Sequence, residues 1–114
     1  IVGALRDPQF GAAVMVGLGG TLAEVLDDKV FAVAPLLKEE ALLMIGRLKH
    51  QRLLDGFRGA VPIDREALAD ILVAVGRLAA AEPRVMEIDI NPLICVDGKP
   101  VAVDASVVLS EKGA

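Results

Sequence analysis

Met86-Glu87-Ile88-Asp89-Ile90-Asn91 alternates apolar and polar residues, Val101-Ala102-Val103-Asp104-Ala105-Ser106-Val107 follows the same pattern, and Asp97-Gly98 stands between them. A period of two marks a strand with one buried face. Asp-Gly between two such runs is a strong two-residue hairpin signal. With Asp97 and Gly98 as the central turn residues, opposed positions have numbers that sum to 195. Asn91 then lies opposite Asp104, and Asp89 opposite Ser106, with Cβ atoms about 4.5–5.5 Å apart on one sheet face. That register gathers an amide oxygen and two carboxylates into one patch. Hard oxygen donors of this type suit Mg²⁺, which usually takes one or two protein carboxylates and fills its shell with phosphates and water. The residues leave a plainer reading open beside this one, because any half-buried strand shows a polar face. Pro92 is the place where the register would slip.

Working back from the hairpin, Asp64 is a good N-cap for the clearest helix in the chain. Leu68, Ile71, Leu72, Val75, Leu78 and Ala79 follow the i, i+3, i+4, i+7 spacing, and Pro83 stops the run. A second helix is predicted over Glu39–Lys49, with Leu42, Ile45 and Leu48 as its stripe and bases at its end. Leu53 to Gly59 reads as a half-turn and loop. Nearer the start, Ile1–Leu5, Ala12–Val16, Leu22–Leu26 and Val30–Ala34 read as four short strands. Arg6-Asp7-Pro8-Gln9, Gly17-Leu18-Gly19-Gly20 and Asp27-Asp28-Lys29 are the turns between them. Runs so closely spaced favour an antiparallel meander over a crossover, which needs a dozen or more linking residues. The expected fold is α+β, an α/β sandwich in which two principal helices pack on one face of a mainly antiparallel sheet.

Composition narrows the function. The 114 residues are one domain or a piece of one. Apolar residues make up 54%, so the chain is not a disordered tail. A single cysteine excludes a disulfide framework and a multi-Cys zinc site. No apolar run is long enough to span a membrane. The net charge of −4, with no basic patch, argues against nucleic acid as a partner, and aromatic residues at 3% offer little to stack on bases. The chain opens without Met inside an apolar run, Ile1-Val2-Gly3, which reads as a fragment of a longer, cytoplasmic protein.

Asp7-Pro8-Gln9-Phe10-Gly11, Val16-Gly17-Leu18-Gly19-Gly20, Glu24-Val25-Leu26, Ala34-Pro35-Leu36, Gly56-Phe57-Arg58-Gly59 and Glu87-Ile88-Asp89-Ile90-Asn91-Pro92-Leu93 occur in one order. Together they resemble the C-terminal ATP-grasp subdomain of the ADP-forming (NDP-forming) acyl-CoA synthetases, the acetate–CoA ligase group related to succinyl-CoA synthetase. The resemblance covers essentially the whole chain, residues 1–114. It implies a ligase that interconverts acyl-CoA, ADP and phosphate with carboxylic acid, CoA and ATP through a phosphohistidine. This part would supply the floor of the nucleotide site, with Mg²⁺ and ATP or ADP bound to it. A preceding lid subdomain and CoA-binding domains or a subunit would complete the enzyme, so the fragment alone is expected to be inactive.

Carried over by position, the resemblance makes Asn91 and Asp104 the metal ligands, in agreement with the register. Ser106 holds the place of a third polar ligand. Glu87, Asp89 and Glu24 match acidic positions as ligands or as supports of ligands. Gly19, Gly20 and Arg58 match positions of phosphate or nucleotide contact. From the residues alone, the glycines read first as a tight turn and Arg58 as a loop residue whose stem covers apolar surface, and Glu24 is as readily a solvent-facing acid. No residue is singled out as catalytic. Two departures stand out, because Ala32 and Ser106 occupy positions where the family commonly carries Arg. Their loss admits an alternative, a regulatory synthetase-like module of a protein lysine acetyltransferase, or a subunit-contact domain. His50, the single histidine, is expected at a helix end where a cation is welcome, and Cys95 is expected in the core.

Overall fold

A computed structural model describes residues 1–9, 11–18, 28–56, 61–91 and 93–110. Five strands form one sheet in the order β3-β2-β1-β4-β7, with every neighbouring pair antiparallel. They are β1 (Val2–Asp7), β2 (Gly11–Gly17), β3 (Lys29–Val33), β4 (Val85–Ile90) and β7 (Ala105–Leu109). The remaining two, β5 (Leu93–Val96) and β6 (Lys99–Ala102), form a separate ribbon. The expected strand Leu22–Leu26 lies outside the described residues, and β3 pairs directly with β2.

Two principal helices, α1 (Lys38–Gly46) and α3 (Arg65–Ala81), cover one face of the sheet, joined by a single turn of helix, α2 (Gln51–Leu54). The expected α+β architecture is therefore the observed one. Leu68, Ala69, Leu72, Val75 and Ala79 of α3 meet Val2, Ala4, Val14, Val16 and Ile88 of the sheet, and Ala41, Met44 and Ile45 of α1 complete the core. Each large apolar side chain so buried stabilises the fold by about 1.5–3 kcal/mol. Gly76 lets α3 sit close, since a Cβ there would stand 3.1 Å from Val14 Cγ2. Asp64 caps α3 as expected, its carboxylate accepting the Ala67 N–H at 3.0 Å.

Four local expectations are corrected. The first helix stops at Gly46 and not at Lys49, because the Asp28 carboxylate takes the N–H groups of Lys49 (2.8 Å) and His50 (2.9 Å). The Gln51 amide meanwhile donates to the carbonyls of Ile45 and Leu48 at 2.9 and 2.6 Å. Asp28 is thus a buried carboxylate, 1% exposed, and not part of a solvated turn. His50 accordingly precedes the first turn of α2 and does not close the last turn of α1. Arg6 is a strand residue as well. Its guanidinium crosses to the end of α3 and donates to the carbonyls of Ala79, Glu82 and Val85.

The hairpin register is the one expected. Leu93↔Ala102, Ile94↔Val101, Cys95↔Pro100 and Val96↔Lys99 all sum to 195, as do Ile90↔Ala105, Asp89↔Ser106 and Ile88↔Val107. Asp97 (φ 51°) and Gly98 (φ 82°) both adopt positive φ, as a type I′ turn demands. The expected single strand over 101–107 is nevertheless broken at 103–104, and on the partner side β4 ends at Ile90 and β5 begins at Leu93, so the ribbon is a sheet of its own. Its tip docks on the loop before α3. The Asp64 N–H donates to the Gly98 carbonyl at 2.7 Å, and Lys99 pairs with the Asp64 carboxylate. Cys95 is exposed and not a core residue, because the ribbon lies outside the layers that the helices cover.

Candidate functional site

Among the described residues, no element covers the face of the sheet turned away from the helices. Since Val2, Ala4, Val14, Val16 and Ile88 point into the core, the alternate residues point outward and align in rows across the strands. One row runs Val33–Ala13–Leu5–Glu87–Val108 and the next Phe31–Met15–Gly3–Asp89–Ser106, every step a paired register position. The third row starts at Lys29 opposite Gly17, which exchanges backbone bonds with Ile1. The β1–β4 register carried one residue further sets Ile1 opposite Asn91. The Asn91 N–H then donates to the Asp104 carbonyl at 3.1 Å. This row therefore ends on Asn91 and Asp104, where the sheet gives way to the ribbon.

Sequence-predicted site residues fall into this frame as follows. Asn91 and Asp104 oppose each other and are both exposed. Asp89, half-buried, opposes Ser106 in the adjoining row, and exposed Glu87 lies in the row beyond. Gly19, Gly20, Glu24 and Arg58 lie outside the described residues. Among the described residues, no three or more His, Cys, Asp or Glu side chains cluster as a metal site. Ala32, on β3, packs against the core side of the sheet, so an Arg at that position would start from the helix-covered face.

Between the rows is a pocket of about 180 Å³, lined on the open face by Gly3, Leu5, Met15, Phe31, Lys29, Glu87 and Asp89. Its floor is flat because Gly3 has no side chain, and a Cβ there would stand 2.8 Å from the Ile88 carbonyl oxygen. Reading the sequence alone missed Lys29 as a pocket residue. It was legible only as part of a turn, and its place in the row appears once Gly17 is known to pair with it. A second cavity of about 180 Å³, apolar, lies on the helix side between Val16, Leu48, Leu54, Ile63, Leu68 and the inner side of β5.

The architecture is an antiparallel sheet backed by helices on one face, with Asn91 and Asp104 opposed just past the ends of β4 and β7. The ATP-grasp domain model matches residues 1–109, and the chain belongs to that family. Within it, the chain is 53% identical over 109 residues to the β subunit of acetate–CoA ligase [ADP-forming] I of Pyrococcus furiosus, spanning 96% of this chain and 47% of that one. It is 43% identical to acetate–CoA ligase [ADP-forming] I of Archaeoglobus fulgidus, over 98% of this chain and 16% of that one. Among solved structures it resembles a dinucleotide-forming acetyl-coenzyme A synthetase 1 of Ca. Korarchaeum cryptofilum, with TM-score 0.88 and 44% identity. The match covers 95% of this chain and 51% of that one. That structure holds coenzyme A and Mg-AMPPCP, its phosphohistidine segment pointing towards the nucleotide-binding site. The chain thus spans between 16% and 51% of the length of these relatives, and the resemblance read from its motifs is borne out. These relatives are ligases and synthetases, and nothing in them favours the acetyltransferase alternative. Among the described residues, no helix is long and apolar enough to cross a membrane.

Proposed function

We propose that this chain forms the nucleotide and metal floor of an ADP-forming acyl-CoA synthetase, the C-terminal part of its ATP-grasp domain. The reaction would convert acyl-CoA, ADP and phosphate to carboxylic acid, CoA and ATP by way of a phosphohistidine. The observation that carries this reading is the Asn91–Asp104 backbone bond, which puts an amide and a carboxylate side by side at the edge of the open face. Oxygen donors in that number fit Mg²⁺, which leaves most of its shell to phosphates and water. When bound, such an ion neutralises charge that develops on transferring phosphoryl oxygens.

This chain's own residues do the positioning. Asn91 and Asp104 hold the ion, Asp89 and Ser106 support them from the next row, and the flat floor at Gly3 leaves room for the nucleotide. Glu87 borders the same pocket. Glu24, Gly19, Gly20 and Arg58 belong to the proposal through the family match. The lid, the CoA-binding parts and the phosphohistidine would come from chain beyond these 114 residues, in a cytoplasmic enzyme.

Replacing Asp104 by Asn in the full-length protein tests the reading. Asn keeps the shape and one oxygen acceptor but loses a unit of negative charge. Mg-nucleotide binding should weaken by roughly tenfold or more, while the metal-free melting temperature stays level or rises slightly as carboxylate repulsion is relieved. Intact Mg-nucleotide binding would show that Asp104 is not a ligand. Metal-free unfolding would show that the oxygen face is structural.

A further inference from the structure

One side of α1 is covered by no described element. Ala41, Met44 and Ile45 turn into the core, and Lys38 at the start of the helix pairs with Glu66 and Asp70 of α3 at 2.9 and 3.2 Å. At 3.6 residues per turn, the side facing away from the core carries Glu39, Leu43, Gly46 and Arg47, all exposed. Leu43 is 60% exposed and Leu37, at the N-cap, 67%. Among the described residues, neither the Glu39 nor the Arg47 side chain has a hydrogen-bond or ion-pair partner. The helix dipole accounts for an acid at the start of α1 and a base at its end. It does not account for a leucine midway between them, where a solvent-facing helix ordinarily carries a polar residue. Gly46 leaves open space beside that leucine, since nothing lies within 4 Å of where a Cβ would stand.

We infer that this side of α1 is a contact with a second copy of the chain, the two helices lying antiparallel across a two-fold axis at Leu43. Under that symmetry, opposed positions have numbers that sum to 86. Leu43 meets its own counterpart, Glu39 meets the second copy's Arg47, and Arg47 meets the second copy's Glu39, so one stripe supplies both halves of the contact. Glu39 and Arg47 lie about 12 Å apart along the helix, with Leu43 midway. A parallel pairing would instead set Glu39 on Glu39 and Arg47 on Arg47. Glu40 opposes Gly46, whose missing side chain lets the axes approach to the close end of the usual 8–10 Å or so. The leucine pair supplies the burial. Exposed ion pairs add only about 0.2–1 kcal/mol each, so the charges fix orientation more than strength. Leu37 falls level with the connector that follows the second copy's helix and is covered there. Two nine-residue helices bury less than the roughly 1,200 Å² of a standard stable interface, so the dimer is reversible and concentration-dependent. The contact lies on the helix-covered side of the sheet and is independent of the nucleotide reading of the other side.

Sedimentation velocity of the full-length protein over a concentration series at low salt tests the assignment. The mass should double as concentration rises. Leu43→Lys sets two like charges on the axis and should move the midpoint about tenfold higher or more. Glu39→Arg and Arg47→Glu should each, alone, weaken association by about threefold to tenfold, because each then opposes like charges. Mixed in equal amounts, those two variants should associate to within about threefold of wild type, since both ion pairs re-form between unlike copies. All three positions are exposed, so the substitutions leave the fold intact. A wild-type mass that does not change with concentration, association that Leu43→Lys leaves unchanged, or a mixture no stronger than its components would overturn the assignment.

Discussion

Asp64 does three things at once. Its carboxylate caps α3 through the Ala67 N–H, its own N–H holds the Gly98 carbonyl, and its second oxygen pairs with Lys99 at the ribbon tip. The hydrogen bond from Lys99, and after it the Ala67 N–H, hold the Asp64 carboxyl below its ordinary value. A depressed carboxyl pKa contributes stability above the unfolded value of about 3.9, and that contribution is lost as pH falls through the still lower folded value. An NMR titration of the Asp64 carboxyl should therefore show a midpoint below the usual range, and Lys99→Met should move it upward. An unchanged midpoint in the variant would mean that the pair does not hold the tip. Arg6 plays a comparable part at the other end of α3, where its guanidinium gathers the carbonyls of Ala79, Glu82 and Val85. Arg6→Met removes those bonds and keeps an apolar stem, so it should cost on the order of 2–3 kcal/mol in a denaturant melt. A loss under about 0.5 kcal/mol would show that water replaces the guanidinium without penalty.

The elements that local patterning determines were legible in the sequence. Helix α3 announces itself by six apolar positions at helical spacing between Asp64 and Pro83, of which Leu68, Leu72, Val75 and Ala79 are buried against the sheet while Leu78 is half exposed. The register of β4 with β7 and of β5 with β6 follows from one dipeptide, because a two-residue turn leaves a single pairing. Features set by distant contacts were not legible. Asp28 reads as a turn acid until the connector after α1 folds over it, and nothing near Arg6 shows that a helix will end within its reach. The break at 103–104 is of the same kind, since the alternation on each side of it is undisturbed. Of the candidate site, the Asn91–Asp104 and Asp89–Ser106 pairs were legible by counting, whereas Lys29 needed the β2–β3 pairing. The turn offers an element-scale test. Gly98 has φ +82°, and a Cβ there would stand 2.5 Å from the Pro62 carbonyl oxygen. Gly98→Ala should destabilise by about 1–2 kcal/mol and detach the ribbon tip, read as faster amide exchange at Asp64. Wild-type stability and exchange would show that the turn relaxes freely and does not pin the register.

At the scale of the whole molecule, the two faces of the sheet divide the work. One is sealed by α1 and α3 and carries the stability of the domain. No described element covers the other, where Leu5, Phe31 and Val33 are each more than half exposed beside its carboxylates. An exposed apolar patch rimmed by polar groups is a surface made to be covered. In the proposed enzyme the covering is nucleotide and lid, drawn from chain that the relatives possess beyond the matched part. The net charge of −4 suits that division, because the proposed ligand Asp104 and its neighbours Asp89 and Glu87 are anionic and the cations for a polyphosphate would come largely from elsewhere. The most direct measurement is a crystal structure of the full-length protein with Mg²⁺ and a non-hydrolysable ATP analogue. The account predicts a magnesium ion at about 2.0–2.1 Å from side-chain oxygens of both Asn91 and Asp104, with phosphate oxygens completing its shell over the open face. A metal–nucleotide complex seated elsewhere, with these two side chains turned to solvent, would contradict it.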